Sequence, residues 1–106
     1  MNIENNIASI QKKIEKACIN SSREFSSVNL MAVSKTVSEE KIRILLNLGH
    51  RVFGENRVQE ANTKWPKLKI EYPEIQLHLI GPLQTNKIKQ AVSLFDVIET
   101  VRFPLV

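Results

Sequence analysis

The chain has one cysteine, three glycines and six aromatic residues in 106 positions, and each shortage removes a class of function. Cys18, being alone, cannot close an intrachain disulfide, which suits a reducing compartment; it falls inside a helical pattern, where packing is its expected role. No GxGxxG follows the first apolar run and no Walker-type glycine loop is present, so the dinucleotide and P-loop readings lose their main support. Six aromatics supply too few faces for a base-stacking platform. The net charge of +4 permits anion binding, but the lysines are scattered through helix-like segments rather than gathered in a block, so a nucleic-acid surface is not expected. No run reaches the roughly 18 apolar residues of a membrane span. The opening "MNIENNIASIQKK" has polar residues throughout and lacks the apolar core of a secretory signal. The expectation is a soluble cytoplasmic protein.

What is present is an ordinary globular composition, 42% hydrophobic and 25% charged. The length suits one domain or part of a larger one. Ile3, Ile7, Ile10, Ile14 and Ala17 recur at spacings of four and three, which predicts an amphipathic helix over about residues 2–20. "NSSREFSS" breaks that pattern as a loop. Val28 to Ser34 is a mostly apolar run too short for a helix, and a buried strand is the better reading. Ser38 then offers a helix N-cap, Glu39 and Glu40 complement the helix start, and Gly49 stands where a left-handed terminator belongs. A strand near 51–53 ends at Gly54. A helical stretch follows, with Pro66 expected to kink, break or restart it. A turn at Pro73, a strand at 75–80, a helix after Pro82 and a strand at 95–101 complete the series. Strands alternating with helices predict βα units and a parallel sheet. Either an open doubly wound sheet or part of a (β/α)8 barrel satisfies the pattern, and a whole barrel needs about 200 residues or more.

In parallel α/β folds, chemistry gathers at the C-terminal strand ends. Here those ends are Ser34-Lys35-Thr36, Phe53-Gly54-Glu55-Asn56, His78 to Gly81 and Glu99-Thr100. Lys35 is the sharpest candidate. A lysine ending an apolar strand is either desolvated, which favours the neutral and nucleophilic amine, or it reaches water or pairs with Glu55 or Glu99. Asn56 suits a helix cap or a ligand contact. Glu55 is placed to orient Lys35 or to stabilise a helix start. His78, between Leu77 and Leu79, faces away from both and is either a structural residue or part of a polar interior. Lys87 and Lys89 fit a solvated helix face, and no set of His and Cys has metal-ligand spacing.

Three stretches in order, "LMAVSKT", "FGENRVQEA" and "HLIGPLQTNK", resemble the YggS/PROSC family of pyridoxal phosphate homeostasis proteins over nearly the whole chain. The resemblance implies the barrel domain of alanine racemase type, here as its N-terminal half: about four βα units after an N-terminal helix, forming one partial domain over 1–106. It also implies pyridoxal 5'-phosphate held as a Schiff base on Lys35, with Asn56, His78 and Gly81 near the cofactor, and a role in intracellular cofactor homeostasis without established catalysis. PLP-dependent apoenzymes would be the recipients. Family members run to about twice this length and hold the phosphate near their final strands, so the resemblance also implies a truncated chain without its phosphate cup. "RFPLV" departs from the family's continuation. An exposed half-barrel edge would favour self-association. The alternatives are a non-functional fragment, half of a split barrel, or a racemase-type enzyme.

Overall fold

The computed structural model describes residues 3–24 and 28–99. It divides into two units, residues 1–30 and 31–106. The first holds helix α1 (Ile3–Asn20). Its end is closed by Ser22, at φ +55, with the Arg23 N–H bonded to the Cys18 carbonyl at 2.8 Å and the Ser22 N–H to that of Ile19 at 3.3 Å. These are the two bonds of a Schellman stop, made with a serine in place of the usual glycine.

The second unit runs β1 (Ala32–Val33), α2 (Glu39–Asn47), β2 (Val52–Glu55), α3 (Val58–Glu71), β3 (Gln76–Leu79), α4 (Ile88–Leu94) and β4 (Val97–Ile98). All strand pairs are parallel, and their spatial order is their chain order. A doubly wound sheet reverses direction at a switch point; an unbroken sequence of neighbours is the arc of a barrel. The architecture is therefore the partial (β/α)8 barrel, four strands of it.

The ladders of β1, β3 and β4 are shorter than the apolar runs. β1 keeps two residues of the expected seven, because ladder pairing with β2 covers only Ala32 and Val33. β4 is also two residues, and its expected continuation through Thr100 and Val101, like "RFPLV", lies outside the described residues. Gly54 does not end β2 but lies within it. A methyl group there would sit 2.7 Å from the Met31 sulfur and 3.2 Å from Ile80 Cδ1, so the glycine makes room for side chains crossing the sheet face. Pro66 neither breaks nor restarts α3, which continues through it to Glu71. An interior proline costs about 3 kcal/mol. Trp65 and Leu68 on either side of it are fully buried, and each contributes about 1.5–3 kcal/mol.

The ends of α2 follow the sequence closely. The Ser38 side chain accepts the Lys41 N–H. At the other end Gly49, at φ +93, donates to the Leu46 carbonyl while His50 donates to Leu45, both at 3.0 Å. The core lies between the sheet and helices α2 to α4. Phe53, Leu77 and Leu79 project into it from the strands and meet Ile42, Trp65, Leu68 and Ala91. Asp96 ties the layers together: its Oδ2 accepts the Leu77 N–H at 2.8 Å and the Lys69 ammonium at 3.0 Å. Among the described residues no helix is long and apolar enough to cross a membrane.

Candidate functional site

Val33, Gly54, His78 and Val97 are cross-strand neighbours in register. They belong to the sheet face opposite the helices, since Phe53, Leu77 and Leu79 on the alternate positions fill the core. Lys35 lies two residues past Val33, Asn56 two past Gly54 and Gly81 three past His78. The four expected site residues thus occupy consecutive strands at one end of the sheet.

Lys35 is exposed and its ammonium has no partner among the described residues. Of the alternatives open for Lys35, a desolvated amine, a side chain reaching water or a pair with Glu55 or Glu99, the structure builds the one that reaches water. Of the turn that carries Lys35, only Ser34 is buried. The Val37 N–H bonds the Ser34 carbonyl at 3.0 Å, closing a four-residue turn with Lys35 and Thr36 at its corners. Thr36 is left-handed, at φ +58, a corner where glycine or asparagine is usual. A β-branched residue held there costs on the order of 1–3 kcal/mol and persists only where its surroundings over-determine it.

Those surroundings are charged. Glu55 is fully buried. Its Oε2 accepts the Ser34 hydroxyl at 2.5 Å, the Lys64 ammonium at 2.9 Å and the Trp65 indole N–H at 3.2 Å. Lys64 also donates to the Ser34 carbonyl at 2.9 Å, the Val37 carbonyl at 3.2 Å and Glu60 Oε2 at 3.3 Å. Glu60 in turn accepts the Thr36 N–H at 2.7 Å. A buried carboxylate without a paired cation would cost several kcal/mol, and one lysine on the next helix answers it. Sequence reasoning placed Glu55 near Lys35 but missed Lys64, Glu60 and Trp65. The available signal was the i,i+4 spacing of Glu60 and Lys64 on α3, a pattern that ordinarily marks a solvated surface pair.

Partial burial pushes the Glu60 carboxyl up, but the Thr36 N–H and the Lys64 charge together outweigh it and hold the group below its ordinary value. A carboxyl depressed in the folded state contributes stability above its unfolded value of about 4.5 and loses it as pH falls through the folded one. The Thr36 amide resonance is therefore expected to titrate with a midpoint below 4.5, its exchange protection falling at more acid pH. A midpoint at or above that value would contradict the contact.

Asn56 and Gly81 are packed backbone against backbone. A methyl group on Gly81 would overlap the Asn56 carbonyl oxygen and lie 2.7 Å from the Asn56 Cα. Asn56 does not cap α3. That position belongs to Arg57, which makes no side-chain cap bond; Asn56 forms a bend just past the end of β2. Asn56 instead lines a cleft of about 410 Å³ with Arg57, Gln59, Pro82, Gln84 and Lys87. Lys87 is partly enclosed there, whereas Lys89 is exposed. His78 pairs through Nδ1 with Glu99 and through Nε2 with Gln76 Oε1 at 3.3 Å. The structure therefore joins Asn56 to Gly81 and His78 to Glu99, and leaves Lys35 on its own turn.

No protein-family model matches the chain. Individual relatives do. A curated protein of Haemophilus influenzae named "Pyridoxal phosphate homeostasis protein" is 40% identical over 101 residues, covering 95% of this chain and 43% of that protein. The chain is a homologue of the pyridoxal phosphate homeostasis proteins. It spans about two fifths of the length of the curated relatives it matches. Among solved structures, PipY of Synechococcus elongatus with PLP bound is 42% identical at a TM-score of 0.68, over 83% of this chain and 41% of PipY. A protein of unknown function from Bifidobacterium adolescentis superposes with a TM-score of 0.84 at 33% identity, over 92% of this chain and 43% of its own. Relationship to the pyridoxal phosphate homeostasis proteins and the parallel sheet of the partial barrel support each other.

Proposed function

We propose that this chain binds pyridoxal 5'-phosphate through Lys35 and serves in holding and releasing the cofactor rather than in transforming a substrate. The observation that carries the proposal is the contrast between the lysine that follows β1 and the lysine on α3 whose ammonium bonds the same turn. Lys64 is enclosed by four acceptors. Lys35 is exposed beside it, unpaired among the described residues and on a turn whose backbone is fixed. An aldehyde condenses only with an amine it can reach, so the donor set fits the aldehyde end of the cofactor at Lys35 and not at Lys64. The cofactor supplies that aldehyde, and the amine of Lys35 takes it as a Schiff base with loss of water. Such a link is reversible. The partial domain over 1–106 is the unit proposed to do this.

The test is direct. Adding the cofactor to the full chain is expected to produce visible absorbance, and borohydride reduction should fix the added mass on the peptide containing Lys35. Lys35→Ala should lose both signals, weakening apparent binding by about a hundredfold or more if the covalent link dominates. Equal binding by Lys35→Ala would end this reading.

A further inference from the structure

The polar contacts around Lys35 act on the backbone of its turn and on the Ser34 hydroxyl, not on the Lys35 side chain. Lys64 holds the carbonyls of Ser34 and Val37, one on each side of Lys35. Glu60 holds the N–H of Thr36. Glu55 holds the Ser34 hydroxyl. Lys64 is in turn fixed by both carboxylates. The left-handed Thr36 is the strained joint of the turn, and it stands directly after the lysine. Strain adjacent to a reactive residue, held by a buried ionic network on the neighbouring helix, is the arrangement in which an outlier points to function.

We propose that Lys64, acting with Glu60, is a positioning residue for Lys35: it locks the Ser34–Val37 turn so that the Lys35 amine leaves the sheet end unpaired and accessible. The division of labour follows from placement. One lysine is committed to backbone carbonyls and carboxylates, and its enclosure keeps it from competing for the aldehyde. The other is left with none of these contacts. This inference rests on Lys35 being the amine that takes the cofactor.

The experiment offers pyridoxal 5'-phosphate to the full chain and to Lys64→Met and Glu60→Ala variants, followed by borohydride reduction and peptide mapping. The first variant keeps the aliphatic stem and removes the charge. The second places a good helix former at a partly exposed helical position, so it retains the fold. The readouts are the share of label on Lys35 relative to all labelled lysines and the exchange rate of the Thr36 amide, both in cooperatively folded protein. In the wild type, Lys35 is expected to take most of the label. In each variant Thr36 exchange should accelerate and the Lys35 share should fall about tenfold, the scale on which misplacing a reacting group is felt. If Lys64→Met does not fold, Glu60→Ala decides alone. A folded variant whose Thr36 amide loosens while Lys35 keeps its share within about twofold overturns the positioning role, and so does a Thr36 exchange rate that does not change. A wild type that labels Lys12 or Lys13 as readily as Lys35 fails differently, because it removes the reactive lysine itself.

Discussion

Gly81→Ala is expected to cost about 3 kcal/mol or more and to be among the most damaging single substitutions in the chain. The added methyl group would overlap the carbonyl oxygen of Asn56 and crowd its Cα. Most overpacking is relieved by rotating a side chain, but here the obstacle is backbone. Moving it means pulling apart the ends of β2 and β3, where the Ile80 N–H bonds the Glu55 carbonyl at 2.9 Å. Glu55 is the buried hub of the charged network, so the disturbance reaches the Lys35 turn as well. Gly54→Ala is the informative control. Its methyl group would meet the Met31 sulfur and the tip of Ile80, both flexible side chains, and a loss of about 1 kcal/mol is expected. Urea denaturation of the two variants gives the comparison. Equal losses would mean that the backbone contact at Gly81 is not a constraint on the fold.

The contrast between those glycines shows what pattern-reading can see. Both stand at the end of an apolar run and look alike in sequence. Gly54 lies inside its strand and Gly81 beyond its own, and what an added methyl group would meet at each is set by neighbours 20 or more positions away, Met31 in one case and Asn56 in the other. Features with local causes were legible: the 3-and-4 spacing of α1, the Ser38 cap and the Gly49 stop. Pro66 left a kinked, a broken and a restarted helix all open in the sequence, and the continuous α3 goes with burial of Trp65 and Leu68 against other elements. The lengths of β1, β3 and β4 were overestimated for the same reason, whereas β2 runs past its expected end to Glu55. An apolar run records what is buried, whereas a ladder needs a partner strand opposite every residue. At the site, the motifs brought forward Lys35, Asn56, His78 and Gly81. The pairing of Glu55 with Lys64 crosses nine positions and two kinds of element, so no single period reveals it.

Trp65 is where the core and the charged network meet, and Trp65→Ala should lower stability by about 3–5 kcal/mol. Its side chain is fully buried, its ring lies 4.8 Å from that of Phe53, and its indole N–H serves Glu55. For a domain whose total stability is about 5–15 kcal/mol, the loss would lower the urea midpoint by about 2 M. Trp65→Phe separates the two roles. It keeps most of the apolar burial and the ring contact while deleting one donor from a carboxylate that retains Ser34 and Lys64. Loss of a single hydrogen bond to a charged group costs about 1.5–3 kcal/mol, so the phenylalanine variant should fall between wild type and alanine. If Trp65→Phe costs as much as Trp65→Ala, the indole–Glu55 bond carries the residue's contribution and the packing carries little. If Trp65→Phe costs nothing, Ser34 and Lys64 satisfy Glu55 Oε2 on their own. In that case the route by which α3 steadies the Lys35 turn runs through Lys64 and Glu60 alone.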